Sequence, residues 1–252
     1  MLTTIWNTAL YNPLHNLLAF LVNIIPGGDV GIAVILLTVI VKLALFPLSQ
    51  KALKGQVAMR ELAPELAELK EKYGDNKEEH ARQTFALYKK YNVSPVSGCL
   101  PILVQIPIIF ALYQVFMKGI SFTSDSLYAF IPVPAIVSVS FLGILDLTAH
   151  SIVLAIITGV SQFIQAYFSV ASLPLQKPKE GKKSFQDELA RSMQIQTKYV
   201  LPIFIGVIAY QVSAAVALYW CTNNIFTILQ ELYIRKKVLK GKSVLVVESK
   251  TV

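Results

Sequence analysis

The run GIAVILLTVIVKLALFPLSQK, Gly31 to Lys51, constrains this chain more than any other stretch, because it is long enough to cross a bilayer and holds a lysine inside it. A helix spans the roughly 30 Å hydrocarbon core with about 20 mostly apolar residues at about 1.5 Å each. Counted from Val30, Lys42 lies about 18 Å along such a helix, and the next cation, Lys51, lies about 13 Å further on. A charge near a helix centre costs about 2.5–3.5 kcal/mol on insertion scales, so it normally faces protein or a water-filled cavity. Two readings follow. Lys42 either stretches its stem toward the inner headgroups or marks a polar site between helices. The long reach, and the lack of an acidic residue in the run, favour the second.

With 54% hydrophobic and 15% charged residues, the chain is too apolar for a soluble domain and too long for a single anchor. A multispanning membrane protein is expected. Its net charge of +8 is then first a statement about topology, because Lys and Arg collect in short cytoplasmic loops. Cys99 and Cys221 match no metal or disulfide spacing and read as packing residues.

Residues 1–29 contain no Lys or Arg, so neither a secretory signal nor a transit peptide is indicated and the segment should stay on the mature protein. Leu10, Leu14, Leu17, Leu21 and Ile24 recur on one helical face, while Asn7, Asn12, Asn16 and Asn23 interrupt the rest. This resembles a helix lying in the outer interface, with a weak full span as the alternative. Pro26-Gly27-Gly28-Asp29 breaks the chain before the first secure span. From Lys51 to Tyr91 there are nine Lys or Arg and seven Asp or Glu, which predicts a soluble helical hairpin. Leu62, Leu66, Leu69 and Tyr73 form one apolar stripe, and Ala81, Phe85, Tyr88 and Tyr91 the other. Asp75 with Glu78 reads as a capping box, and Glu68–Lys72 and Glu78–Arg82 as favourable pairs.

A second span runs over 95–118 with kinks at Pro101 and Pro107, a third over 150–172, and an outer interfacial loop over Gly119 to Thr148 separates them. The apolar block Tyr199 to Leu229 is too long for one upright span, and cations flank both of its ends. It must turn back, most simply at Gln211-Val-Ser213, which gives spans 198–212 and 214–234. The expected architecture is all-α: a five-helix transmembrane core (30–237, first span 30–50), a cytoplasmic hairpin (51–94), an N-terminal interfacial helix and a basic tail (238–252). With the N-terminus outside and the C-terminus cytoplasmic, 21 of 23 Lys and Arg fall inside. The exceptions are Lys42 and Lys118.

Polar residues within the spans are the chemistry on offer: Lys42, Thr38, Gln105, Gln162, Gln165, Gln211, Asn223, Asn224 and Gln230. Singly, such amides are common interhelical glue. Together with an unpaired lysine they suggest a hydrated pocket. Phosphate loops, metal-ligand clusters and nucleophile triads are not evident, so neither an enzyme nor a cofactor is expected. A transporter or channel using Lys42 would favour an internal repeat, and none is evident.

Between Tyr11 and Lys237 the sequence resembles the YidC family of membrane protein insertases, relatives of the mitochondrial Oxa and chloroplast Albino proteins. The matching stretches are YNPLHNLL, ILLTVIVKLALFPLSQK, PELAELKEKYGDN, LYKKYNVSPVSGCLPILVQIPIIFALY, FLGILDLT, SQFIQAYFS and ALYWCTNN. The motif GCLPxLxQxPI joined to ALY is the specific part. The resemblance implies a minimal bacterial form in the cell (plasma or inner) membrane, with a groove open to cytoplasm and lipid and closed outside. It implies groove positions at Lys42, Gln105, Gln165 and Trp220. It also implies nascent membrane proteins as substrates, and as partners the translating ribosome, the Sec translocon, the signal recognition particle receptor and anionic lipid. Lys42 stands where the family usually has arginine, keeping the charge and losing the planar fork of donors. A purely chaperoning or scaffolding role is a further alternative.

Overall fold

The computed structural model describes residues 2–74, 76–91, 100–117, 120, 122–170, 192 and 195–240. Helix α1 (Leu2–Trp6), a π-helical turn (Asn7–Tyr11) and α2 (Asn12–Ile24) follow one another without leaving helical backbone. Leu14, Leu18, Leu21 and Val22 are buried, whereas Ile24, grouped with them by spacing, is exposed. The asparagines do more than interrupt the rest of the helix surface. Asn16 donates to the Ser126 carbonyl (3.4 Å) and accepts from the Tyr128 amide (2.6 Å), and Asn23 donates to the Pro132 carbonyl (2.7 Å). They fasten α2 to the irregular segment that follows α7.

The turn at Pro26–Gly28 needs glycine at its last position: Gly28 has φ +61°, and a Cβ there would lie 2.1 Å from the Ile136 carbonyl oxygen. Helix α3 (Val30–Ala44) then starts on Asp29, whose Oδ1 accepts from the Gly31 and Ile32 amides at 2.8 and 3.0 Å. Its apolar run was expected to continue as one span to residue 50. Instead the axis bends by 64° at Leu45 into α4 (Phe46–Glu61). The physical reason is Pro47, which has no N–H to offer the Leu43 carbonyl and whose ring crowds that turn. Helix α4 crosses the expected span–hairpin boundary at Lys51, and Ala52, Leu53 and Leu62 are buried rather than solvated.

Helices α5 (Ala63–Tyr73) and α6 (Lys77–Lys90) follow, with Tyr91 at the end of the second donating its hydroxyl to Glu65 at the start of the first (2.7 Å). The cap of α6 is Asn76, which accepts from the Glu79 amide at 3.1 Å, so the capping residue is one later than Asp75, itself outside the described residues. Neither expected ion pair forms among the described residues. Arg82 pairs with Glu79 one turn back (2.8 Å) because the cap draws Glu79 into position, and Lys72 lies over the Tyr73 ring.

Helix α7 (Leu100–Met117) holds Pro107 in its interior, and Pro101 lies beside its first described residue. Residues 95–99, including Cys99, lie outside the described part. The irregular segment carries a two-residue antiparallel pair, β1 (Ser140–Phe141) and β2 (Leu145–Asp146), the exception in an all-α chain. Helix α8 (Ile152–Val170), a second π turn (Gln196–Val200), α9 (Leu201–Gln211) and α10 (Ala214–Lys240) complete the described chain. Val212 is extended between the last two, and α10 runs on through Arg235–Lys237. Residues 171–191 and the tail beyond 240 lie outside the described part.

The core lies where α10 packs on α3 and α8, α8 on α9, and α2 on α3. Leu18, Val30, Val34, Leu37 and Leu112 are among its fully buried members. At the α8–α9 contact a Cβ on Gly159 would lie 3.5 Å from the Gly206 Cα, so the two helices approach closely there. Among the described residues no single helix is long and apolar enough to cross a membrane. The bent pair α3 and Phe46–Gly55 meets that test together, and Gln105–Phe116 and Ile152–Phe168 are shorter apolar stretches.

Candidate functional site

Several polar residues of the apolar helices converge on α10. Tyr219, Asn223, Thr227 and Gln230 recur at steps of four, four and three, which places them on one stripe of that helix. Each helix facing the stripe contributes a partner. Lys42 of α3 donates to the Thr227 hydroxyl at 3.1 Å, and that hydroxyl in turn donates to the Asn223 backbone carbonyl at 2.8 Å. Gln230 donates to Ser49 of α4 at 2.8 Å, and Gln105 of α7 donates to the Tyr219 hydroxyl.

Asn224 points to the neighbouring face and meets α8. Its amide donates to Ser161 at 3.1 Å, Ser161 donates to the Thr158 carbonyl at 2.9 Å, and Thr158 donates to the Ala217 carbonyl at 3.1 Å. Gln162 and Gln165 bond to each other at 2.9 Å along α8. Asn223 Oδ1 is buried and accepts from none of the described residues.

Lys42 is half-buried, and among the described residues it has no carboxylate within ion-pair distance. Its charge is held by one neutral hydroxyl. Three turns of α3 separate it from the Asp29 cap, whereas the Leu45 bend is less than one turn away. The bend also opens an apolar notch of about 280 Å³ between Phe46 and the α10 residues Phe226, Leu229, Gln230 and Tyr233. A cation on a polar stripe thus sits one turn from an apolar recess.

Of the four groove positions expected from the sequence, Lys42 and Gln105 both reach the α10 stripe. Trp220 is half-buried on α10 beside Tyr219, and Gln165 is half-buried on α8, bonded only along its own helix among the described polar contacts. The four are not joined by hydrogen bonds to one another. Thr38 returns its hydroxyl to the Val34 carbonyl (2.6 Å), and Gln211 is exposed at the end of α9. Sequence reasoning missed Thr227, Tyr219, Ser161 and Ser49. The signal available was the four-residue repeat of polar side chains through ALYWCTNNIFTILQ.

The model of the 60Kd inner membrane protein family matches residues 9–241. A protein named membrane protein insertase YidC from Oceanobacillus iheyensis is 34% identical over 242 residues, covering 94% of this chain and 86% of its own. Another of that name, from Fusobacterium nucleatum, is 33% identical over 233 residues, 90% of this chain and 98% of its own. A longer one from Citrifermentans bemidjiense is 32% identical over 235 residues, which are 92% of this chain but 38% of its own length. With the family model spanning nearly every described helix, the chain belongs to the 60Kd inner membrane protein family, that of the YidC and Oxa insertases.

Proposed function

We propose that this protein inserts integral membrane proteins into the bacterial cell membrane and helps assemble them, through a hydrated cationic groove and without nucleotide hydrolysis. The observation that carries the reading is Lys42: a charge within an apolar helix, held by Thr227 on a polar stripe and lacking a described acidic partner. Such a groove hydrates the hydrophilic tail of an incoming helix, attracts its acidic residues and shortens the hydrocarbon it must cross. Partitioning of the substrate helix supplies the driving force, about 0.8 kcal/mol per buried CH₂.

In this reading the core spans the membrane five times, the bent α3–α4 pair and the closely packed α8–α9 pair among the spans. The N-terminus is outside, α5 and α6 project into the cytoplasm, and Gln105, Gln165 and Trp220 line the groove with Lys42. The cation distribution, 21 of 23 on one side, supports the orientation. Nascent membrane proteins are the substrates, and the ribosome, the Sec translocon, the signal recognition particle receptor and anionic lipid are the partners this reading implies.

The test is reconstitution into protein-free liposomes with a single-span substrate bearing an acidic translocated tail. Wild type and Lys42→Arg should insert it, and Lys42→Ala should not. Equal insertion by Lys42→Ala at matched protein content would overturn the groove mechanism. Substrate protected from aggregation but left uninserted by wild type would show a chaperone instead.

A further inference from the structure

The segment between α7 and α8 combines two features that seldom occur together. From Ser126 to Leu145 it holds no charged residue, yet Phe130 and Ile144 are 80% and 88% exposed, and Ile136 and Leu142 are also exposed. Its backbone meanwhile turns inward. Besides the bonds from Asn16 and Asn23, Ser138 exchanges two with the Gly28 carbonyl and Val30 amide (2.9 and 3.0 Å), and Leu147 and Ala149 accept from the first amides of α10 (3.1 and 2.8 Å). Pro132 and Pro134 bring no N–H to satisfy. At the tip, the Leu142 amide donates to Asp29 Oδ2 at 2.7 Å, so one carboxylate both caps α3 and holds the hairpin.

Irregular backbone is tolerated at membrane depth only where its polar groups are bonded to protein. In this segment the Tyr128, Ile131, Ser138, Leu142, Gly143 and Ile144 amides have protein partners, and its most exposed side chains are apolar. The exposed apolar surface resumes within a few residues at Ile152, Val153 and Ile156 on α8. We propose that residues 128–144 form an uncharged wedge seated in the acyl–headgroup boundary of the outer leaflet, with Asp29 as the positioning residue that holds its tip there. The occupant of this apolar face is lipid: it offers no charge to a protein partner, and its exposed apolar side chains run on into those of α8. The proposal rests on the orientation given above.

The test places an environment-sensitive fluorophore on single cysteines in a Cys99→Ser, Cys221→Ala background, in proteoliposomes of phosphatidylcholine and phosphatidylglycerol. The wedge position is Ile144→Cys, with Phe130→Cys as an independent second position should the first misfold. Ile156→Cys on α8 and Ser124→Cys in the polar turn are the references. Emission at 144 and 130 should be blue-shifted like that at 156, quenched by acyl-brominated lipid and spared by aqueous iodide, with the reverse at 124. Iodide quenching at 144 and 130 with lipid quenching at 156 overturns the wedge and leaves the membrane reading standing. Lipid quenching at none of the three overturns both. Blue-shifted emission insensitive to either quencher means a protein covers the face, and also overturns the wedge. Adding Asp29→Ala should move the label at 144 toward iodide, and an unchanged profile would remove Asp29 from the account.

Discussion

Replacing Lys42 by methionine separates a working charge from a structural one. The side chains have similar volume, so Lys42→Met removes the ammonium and leaves the packing. Relieving a charge near a helix centre recovers about 2.5–3.5 kcal/mol. Against this stands the loss of one charge-assisted hydrogen bond to Thr227, observed at 3.1 Å and worth about 1.5–3 kcal/mol. Thr227 keeps its own bond to the Asn223 carbonyl at 2.8 Å, so no buried donor is orphaned. The net is a gain of about 1 kcal/mol, which for a chain of this size raises the unfolding midpoint by about 2–4 °C. Thermal unfolding in detergent, followed by intrinsic fluorescence at fixed lipid content, reads the midpoint, and insertion is assayed on the same preparation. Stability should hold or rise while insertion falls. A midpoint lowered by several degrees would refute the reasoning, because it would make Lys42 a structural tie.

Three further outcomes are expected. Ser161→Ala should destabilise by about 1–3 kcal/mol, because it strands the amide of Asn224, which is 1% exposed, and adding Asn224→Leu should restore most of the loss in the same unfolding assay. Glu79 is held below the usual carboxylate range, first by the Arg82 hydrogen bond and then by Gln83. Its contribution to α6 is therefore full above its ordinary value of 4.5 and lost as pH falls through the lowered one, and amide protection factors across 77–90, corrected for the intrinsic pH dependence of exchange, should fall on acidification in wild type but change less in Glu79→Gln. A version ending after Lys237 should cosediment less with translating ribosomes at low salt, with the difference vanishing at physiological salt, and unchanged binding at both would leave the basic tail only a topological role.

Lys42 was legible because a lone cation in an apolar run violates a strong local rule. Its partner was not, since Thr227 lies 185 residues away and a threonine in a helix breaks no rule at all. The bend at Leu45 had its cause in view, in Pro47, but the length of the apolar run outweighed it. Asn16 and Asn23 read only as interruptions outside the apolar face because their acceptors and donors belong to a segment more than a hundred residues on. Asp29 read only as part of the break before the first span, and the same distance hid its bond to Leu142. The α6 cap moved from Asp75 to Asn76 because adjacent residues of similar chemistry compete for one position and backbone geometry decides. Local rules located the helices and the charge, whereas the network around the charge is tertiary.

The Gly159–Gly206 contact limits what can stand between α8 and α9. A Cβ added at either glycine would stand 3.5–3.6 Å from the other's Cα, an ordinary van der Waals distance, so the space between the backbones at that level is about one methyl wide. Alanine would fit at Gly159 or Gly206, and any larger side chain would have to hold α8 and α9 further apart.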